Sequence, residues 1–214
     1  MEFLHSLNQV IFPSRCISCK RLGPSLCIEC KRCWYPHAIF TRTSRSPGLA
    51  VYSGITYSDI AARVILAAKE SHIKSADILV ADAISHSLAQ WLKTEWIDTL
   101  IPIPSRKSAA RKRGRQFIEE MARIVSVPTG VAVASPLQHS RQVRDQSGLG
   151  YDQRWNNLEG AYVVSGNHEG LGRALLVDDL VTTGATLNEA ARALKYAGIE
   201  VIGAVTAAVA QTVR

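Results

Sequence analysis

Five side chains able to do polar chemistry stand close together late in the chain: Asp178, Asp179, Thr182, Thr183 and Thr186, with Gly184 and Ala185 completing the run. Hydroxyls and backbone N–H groups from Thr182 onward sit at the expected start of a helix whose apolar stripe is Leu187, Ala190, Ala191 and Leu194. Donors and helix dipole there favour a dianionic phosphate, and Gly184 lets the backbone approach it closely. Carboxylates repel phosphate, so Asp178 and Asp179 are expected to face ribose hydroxyls, or a Mg²⁺ held by those hydroxyls and a pyrophosphate. Phosphate, pentose and metal are thereby separated along one turn. A capped strand-to-helix turn accounts for one Asp or one Thr, but not for all of them together.

The segment closely resembles the phosphoribosyl-pyrophosphate (PRPP) signature of type I phosphoribosyltransferases: four apolar residues, two acids, two apolar residues, then Thr-Thr-Gly-Ala-Thr. That resemblance implies that Thr182, Thr183, Gly184, Ala185 and Thr186 bind the 5′-phosphate. It implies equally that Asp178 and Asp179, the candidate catalytic pair, address the 2′ and 3′ hydroxyls.

A second chemistry is written at the other end. All 5 cysteines fall within the first 33 residues, as Cys16-Ile-Ser-Cys19, then Cys27-Ile-Glu-Cys30, then Cys33. Paired Cys-x-x-Cys knuckles make a tetrahedral thiolate site for a structural zinc, with Gly23 and Pro24 turning the chain between them. Cys16, Cys19, Cys27 and Cys30 are the favoured ligands, with Cys33 an alternative to Cys30. An odd cysteine count and a start, Met1-Glu-Phe-Leu-His, without the features of a signal peptide argue against a disulfide knot and predict a cytoplasmic location. So short a module needs a staple, and a structural zinc contributes roughly 10–16 kcal/mol of apparent binding energy to folding.

Composition fits one ordinary domain plus a small module: 214 residues, 47% hydrophobic. The polar stretch 41–48 marks an expected boundary between a zinc-ribbon module and linker (1–46) and a main domain (47–214). No apolar run approaches the ~20 residues of a membrane span. The net charge of +7 is unevenly placed, with +5 in residues 1–45, +6 in residues 106–115 and −4 elsewhere.

Apolar periodicity predicts helices near 60–69, 78–91, 109–125 and 184–197, the last closed by Gly198, and strands within 96–105 and at 131–134, 161–164, 174–177 and 201–208. Alternating strands and helices imply an α/β fold with a mainly parallel sheet and ligands at the strands' carboxyl ends. Of the cations at Arg106, Lys107, Arg111, Lys112, Arg113 and Arg115, some are expected to reach the pyrophosphate, Arg106, Lys107 and Arg113 in particular. Six exceed what one pyrophosphate needs, and a solvated helix face and a nucleic-acid phosphate track both remain open for the rest. Residues 135–157 form either a closing loop, with Gln146 or Arg154 over the diphosphate and His139 within it, or an ordinary surface connection. Lys69, at a helix end, is a further candidate. Apart from Lys69, the site is expected to draw on no residue before Arg106.

Nearly the whole chain resembles the ComF-like competence and gluconate-locus proteins, which join a zinc ribbon to a type I phosphoribosyltransferase domain. Besides the signature and the cysteines, the likeness includes Asp98-Thr-Leu-Ile-Pro-Ile-Pro104, Arg113-Gly114 and Gln146-Ser-Gly-Leu149 followed by Arg154, Asn157, Gly160, Ala161 and Tyr162. One departure is Arg115-Gln116-Phe117, where the family usually carries Phe-Asn-Gln after Arg-Gly. The resemblance implies PRPP with Mg²⁺ as ligand, an unassigned acceptor and a link to DNA uptake, with single-stranded DNA or a competence-machinery protein as partner. Two functions stay open: a phosphoribosyltransferase, and a non-catalytic nucleic-acid-handling protein that keeps the loop for binding or structure.

Overall fold

A computed structural model describes residues 14–45, 48–141 and 150–210. Its order is α1 (Ile28–Cys33), β1 (Ile39–Arg42), β2 (Ala50–Thr56), α2 (Asp59–Ser71), α3 (Lys74–Trp91), β3 (Thr99–Pro102), α4 (Lys107–Arg113), α5 (Phe117–Ser126), β4 (Ala132–Val133), β5 (Leu137–His139), α6 (Tyr151–Leu158), β6 (Tyr162–Val164), β7 (Arg173–Val181), α7 (Ala185–Tyr196) and β8 (Glu200–Val209). The main sheet runs β1-β2-β8-β7-β3-β4, parallel throughout except for the β1–β2 hairpin at its edge. This is the expected α/β architecture. Among the described residues, no helix is long and apolar enough to cross a membrane.

A parallel sheet covered on both faces needs strands that are apolar on both, and β7 satisfies this. Its Leu175 and Val177 enter one buried cluster with residues of α2, α3 and α5, whereas Ala174 and Leu176 enter the other with Leu187, Ala190 and Leu194 of α7. Helix ends follow local chemistry. Ser58 caps α2, its hydroxyl accepting from Ala61 N at 3.2 Å, and His72 ends it in the left-handed region. At the foot of β7, Asp98 accepts from the Arg173 amide and from Trp96 Nε1, both at 2.8 Å, and these bonds, the Arg173 amide first, hold its carboxyl below the usual range.

Several elements depart from expectation. The predicted basic helix over 109–125 is two helices, because Gly114 adopts φ +69° and breaks the run between α4 and α5. The strand expected at 161–164 pairs with β5 in a separate two-stranded antiparallel sheet instead of joining the main one. Strands β1 and β2 had no counterpart in the expected pattern. The polar stretch 41–48 closes their hairpin, with Thr43 N donating to Leu49 O at 3.0 Å, so main-sheet pairing begins at Ile39.

Candidate functional site

Strand order puts the site's parts at one edge. In register, Pro102 of β3 lies beside Val177, and Asp178 lies beside Thr206 of β8. Strand β7 runs on through both acids to Val181, and the loop 182–184 then turns into α7. Gly184 takes φ +79°, and a Cβ there would stand 2.2 Å from Thr43 Cγ2, so conformation and packing each call for glycine. No acid stands in the first turn of α7, and of its leading amides that of Ala185 donates to Thr183 Oγ1 at 3.3 Å. Its dipole and leading N–H groups are therefore uncompensated by protein carboxylates, which is the electrostatics of an anion site.

The two adjacent acids act on each other, and their surroundings differ. Asp179 shares the parity of Leu175 and Val177 and meets α2, where Lys69 Nζ lies 2.5 Å from its Oδ2. Burial pulls the Lys69 ammonium down, but the Asp179 carboxylate more than offsets this and holds it above the ordinary lysine value. Asp178 shares the parity of Leu176 and is pushed well above the carboxylate range, by burial first and then by its charged neighbour Asp179. Its Oδ1 accepts the Asp179 amide at 2.9 Å. Tyr162, buried and exposed to the fields of Asp178 and Glu189, has its phenol pushed above 10. Asp179 is thus paired with a cation, whereas burial and the neighbouring charge favour the neutral form of Asp178.

The basic segment sorts into three behaviours. Arg115 is a structural residue: it pairs with Asp77 at 3.1 Å and Glu120 at 2.6 Å and stacks over Phe117 at 5.1 Å. Arg113 is buried beside Lys69, held through Nε by Ala109 O at 3.1 Å and Glu70 at 3.4 Å, and its Nη1 has no hydrogen-bond partner. Lys107, Arg111 and Lys112 are exposed, whereas Arg106 is half-buried at the N-cap of α4.

His139 is not the exposed loop residue that its polar surroundings suggest. It lies on β5 opposite Tyr162, ring centroids 4.9 Å apart, with Nε2 3.1 Å from Pro104 O and Nδ1 buried without a hydrogen-bond partner. Burial lowers its pKa, and the nearby Arg106 and Lys107 lower it further, against the favourable bond to Pro104.

At the other end of the chain, the ligand atoms of Cys16, Cys19, Cys27 and Cys30 all lie within 4.8 Å of one another. Cys33 is exposed and outside that group, so Cys30 takes the fourth place. Cys19 and Cys27 sulfurs are 3.6 Å apart, close to the ~3.8 Å edge of a tetrahedron with Zn–S bonds of about 2.3 Å. All five cysteines are free thiols. Burial pushes the Cys16 thiol up, but the amides of Cys27, Cys19 and Ser18 outweigh it and bring it down to about 6. Although the Cys30 amide favours the Cys27 thiolate, Glu29, burial and neighbouring thiols push Cys27 up to about 12. Burial likewise raises Cys30. Four thiolates cannot coexist there without a cation between them, and the donor set suits zinc held as a structural ion, with no position left open for chemistry.

Residues 75–212 match the phosphoribosyl transferase domain. The chain belongs to that family. It is also 31% identical over 111 residues to Competence protein F of Haemophilus influenzae, a match covering 49% of this chain and 47% of that protein. The chain thus spans about half the length of this curated relative. Among solved structures it resembles an adenine phosphoribosyltransferase (12% identity, 84% of this chain and 88% of that one, TM-score 0.47) and the orotate phosphoribosyltransferase of Aeropyrum pernix (16%, 79% and 73%, TM-score 0.41).

Lys69, which precedes the matched domain, pairs with Asp179 inside it and feels the charges of Asp178 and Arg113, while Arg115 is withdrawn into ion pairs. Gln146 lies outside the described residues, and of Arg154 only its place in α6 is described. Sequence reasoning missed the contacts that Thr43 and Ser44 make with the loop and with α7. Ser44 bonds to Thr183 O through its hydroxyl at 2.8 Å, and Thr43 Oγ1 donates to Asn188 Oδ1 at 2.8 Å. A Ser/Thr-rich stretch carries no signal of this, because the same composition describes a solvated linker.

Proposed function

We propose that this phosphoribosyltransferase-family chain binds PRPP with Mg²⁺ at the carboxyl end of β7 and transfers the phosphoribosyl group to an acceptor. The observation that carries this is the convergence, at one sheet edge, of an acid-free helix start behind Gly184 with two acids, a lysine and a buried arginine. Phosphate suits the loop. Ribose hydroxyls suit Asp178 and Asp179, and the same carboxylates would help to hold a Mg²⁺. Bound there, such a metal would supply positive charge to balance that of the pyrophosphate. A hydroxyl donating to Asp179 would compete with Lys69, and the ammonium so released would offer its charge, with that of Arg113, to the departing anion. Competence protein F is the relative's name, and we extend it to this chain as a link to DNA uptake.

Thermal melting tests the reading. PRPP with Mg²⁺ should raise the melting temperature more than ribose 5-phosphate, and ribose 5-phosphate more than inorganic phosphate. Asp178→Asn combined with Asp179→Asn should remove most of the difference between the first two while the chain still folds. Equal stabilisation by phosphate and PRPP would reduce the loop to a plain anion site.

A second, non-catalytic reading is favoured by one observation: Lys107, Arg111 and Lys112 of α4, together with Lys20, Arg21, Lys31 and Arg32 of the cysteine module, are exposed, and a small ligand has no need of so many cations. If they follow single-stranded DNA, binding weakens with salt by a log–log slope of roughly −0.7 per phosphate contacted. Arg111→Glu with Lys112→Glu then flattens that slope and leaves PRPP binding intact. No DNA binding at low salt below about 100 µM, the upper end of ordinary nonspecific affinity, removes this reading.

A further inference from the structure

The residues that follow β1 grip the loop by its backbone. Ser44 gives Thr183 O two donors, its amide at 3.3 Å and its hydroxyl at 2.8 Å. Beside it, the buried Thr43 uses both branches of its side chain. Its Oγ1 donates to Asn188 Oδ1 and accepts from Leu49 N, each at 2.8 Å, and its Cγ2 fills the space against Gly184. Asn188 in turn donates its amide to Gly184 O at 2.9 Å. The hairpin therefore holds the residue before the glycine, the glycine itself and the first turn after it.

A trans peptide is planar with its C=O and N–H antiparallel. Drawing the Thr183 carbonyl toward Ser44 thus turns the Gly184 N–H away from the hairpin. We infer that Thr43 and Ser44 are positioning residues for the anion loop, fixing the Thr183–Gly184 peptide plane so that the Gly184 N–H faces the bound phosphate. This rests on the ligand reading above and adds to it a part of the chain outside the 75–212 family match. Left to itself, a glycine-containing turn samples several peptide orientations, and each phosphate bound must then meet the cost of ordering it. The hairpin meets that cost during folding.

Calorimetric titration of the full chain with PRPP and Mg²⁺, and separately with inorganic phosphate, tests this alongside melting without ligand. Ser44 is exposed, so Ser44→Ala should leave the melting temperature nearly unchanged while weakening both ligands by roughly three- to tenfold, the range of one hydrogen bond. Thr43→Ser keeps the hydroxyl and should bind within about twofold of wild type, whereas Thr43→Val keeps the shape, loses the hydroxyl and should bind more weakly. Unchanged affinity in Ser44→Ala, with wild type binding normally, overturns the inference. So does an affinity loss in all three variants that simply follows their melting temperatures. Wild type is titrated first: if it binds neither probe, the ligand reading falls and this inference with it, which separates that failure from the other two.

Discussion

The cysteine module and the loop 182–186 are both small polar sites beside buried apolar clusters, yet they are assembled in opposite ways. The module takes its four ligands from residues 16 to 30, on two knuckles close in sequence. The loop site as we propose it draws Thr43 and Ser44 from a hairpin, Lys69 from α2, Arg113 from the end of α4, and Asp178 onward from β7 and its turn. One of its bonds spans 145 positions. Local assembly makes a site readable as spacing, and distributed assembly makes it readable only in the fold. The two are nevertheless mechanically continuous. Cys16, Cys27, Cys30 and Trp34 pack in the same cluster as Ala61, Val64, Ile65 and Ala68 of α2, the helix that ends with Lys69 near Asp179. Arg63 of that helix also donates to Ser18 O at 3.5 Å.

The largest expected effect breaks the module. Cys16→Ser should release one zinc per chain, measured by atomic emission, and lower the melting temperature by many degrees, because metal binding is folding energy of roughly 10–16 kcal/mol and these cysteines share a core with α2. Cys33→Ser should change neither quantity. Freshly prepared wild-type protein containing no zinc, or metal loss in Cys33→Ser equal to that in Cys16→Ser, would remove the assignment. If PRPP still stabilises the metal-free chain by its full amount, the two sites are merely neighbours and the comparison holds in its strict form.

The next effect in size sits at the ion pair. Asp179 is 8% exposed, and Lys69→Ala leaves its carboxylate without its cation. Breaking a fully buried pair costs ~3–5 kcal/mol; the Lys69 side chain is 30% exposed, and solvent screening reduces the expected cost to about 2 kcal/mol. Denaturation with urea at neutral pH measures it. Lys69→Ala combined with Asp179→Asn should recover part of the loss, since no unpaired charge then remains. A double variant less stable than Lys69→Ala would show that the pair does not carry the effect.

How far each region was legible follows from the same contrast. Asp178 and Asp179 stand adjacent in sequence and read as one unit addressing one sugar, and their carboxyls do act on each other, but only in the fold does Lys69 close on Asp179 while Asp178 is left to burial. The loop's residue types pointed to phosphate because backbone donors and glycine are local properties. Thr43 and Ser44 were invisible because a hairpin that carries the sheet past residue 41 is specified by pairing with β8 through β2, a contact between residues some 150 positions apart in sequence. The partners of Arg115 were invisible for a related reason. A run of cations reveals net charge, whereas the acids that neutralise Arg115, Asp77 and Glu120, come from α3 and α5. The break at Gly114 was present in the sequence as a glycine within a helical pattern, and only its left-handed conformation shows that it ends a helix.

The smallest effect concerns His139, where the distributed region is expected to show a pH dependence of its own. Its folded pKa lies below the ordinary value of about 6.5, by burial first and then by Arg106 and Lys107. Near and below that ordinary value, the unfolded chain therefore binds a proton that the folded chain resists. Stability attributable to His139 is complete at pH 8 and declines as pH falls through 6.5 toward the folded pKa. His139→Gln removes this contribution, so the stability difference between wild type and variant should shrink steadily between pH 8 and pH 5. Urea denaturation at three pH values suffices, and taking the difference cancels acid titration elsewhere. A difference that stays constant would mean that the ring titrates as freely as in the unfolded chain. One that grows in acid would mean that His139 is stabilised as a cation, which its unpartnered Nδ1 and two neighbouring cations oppose.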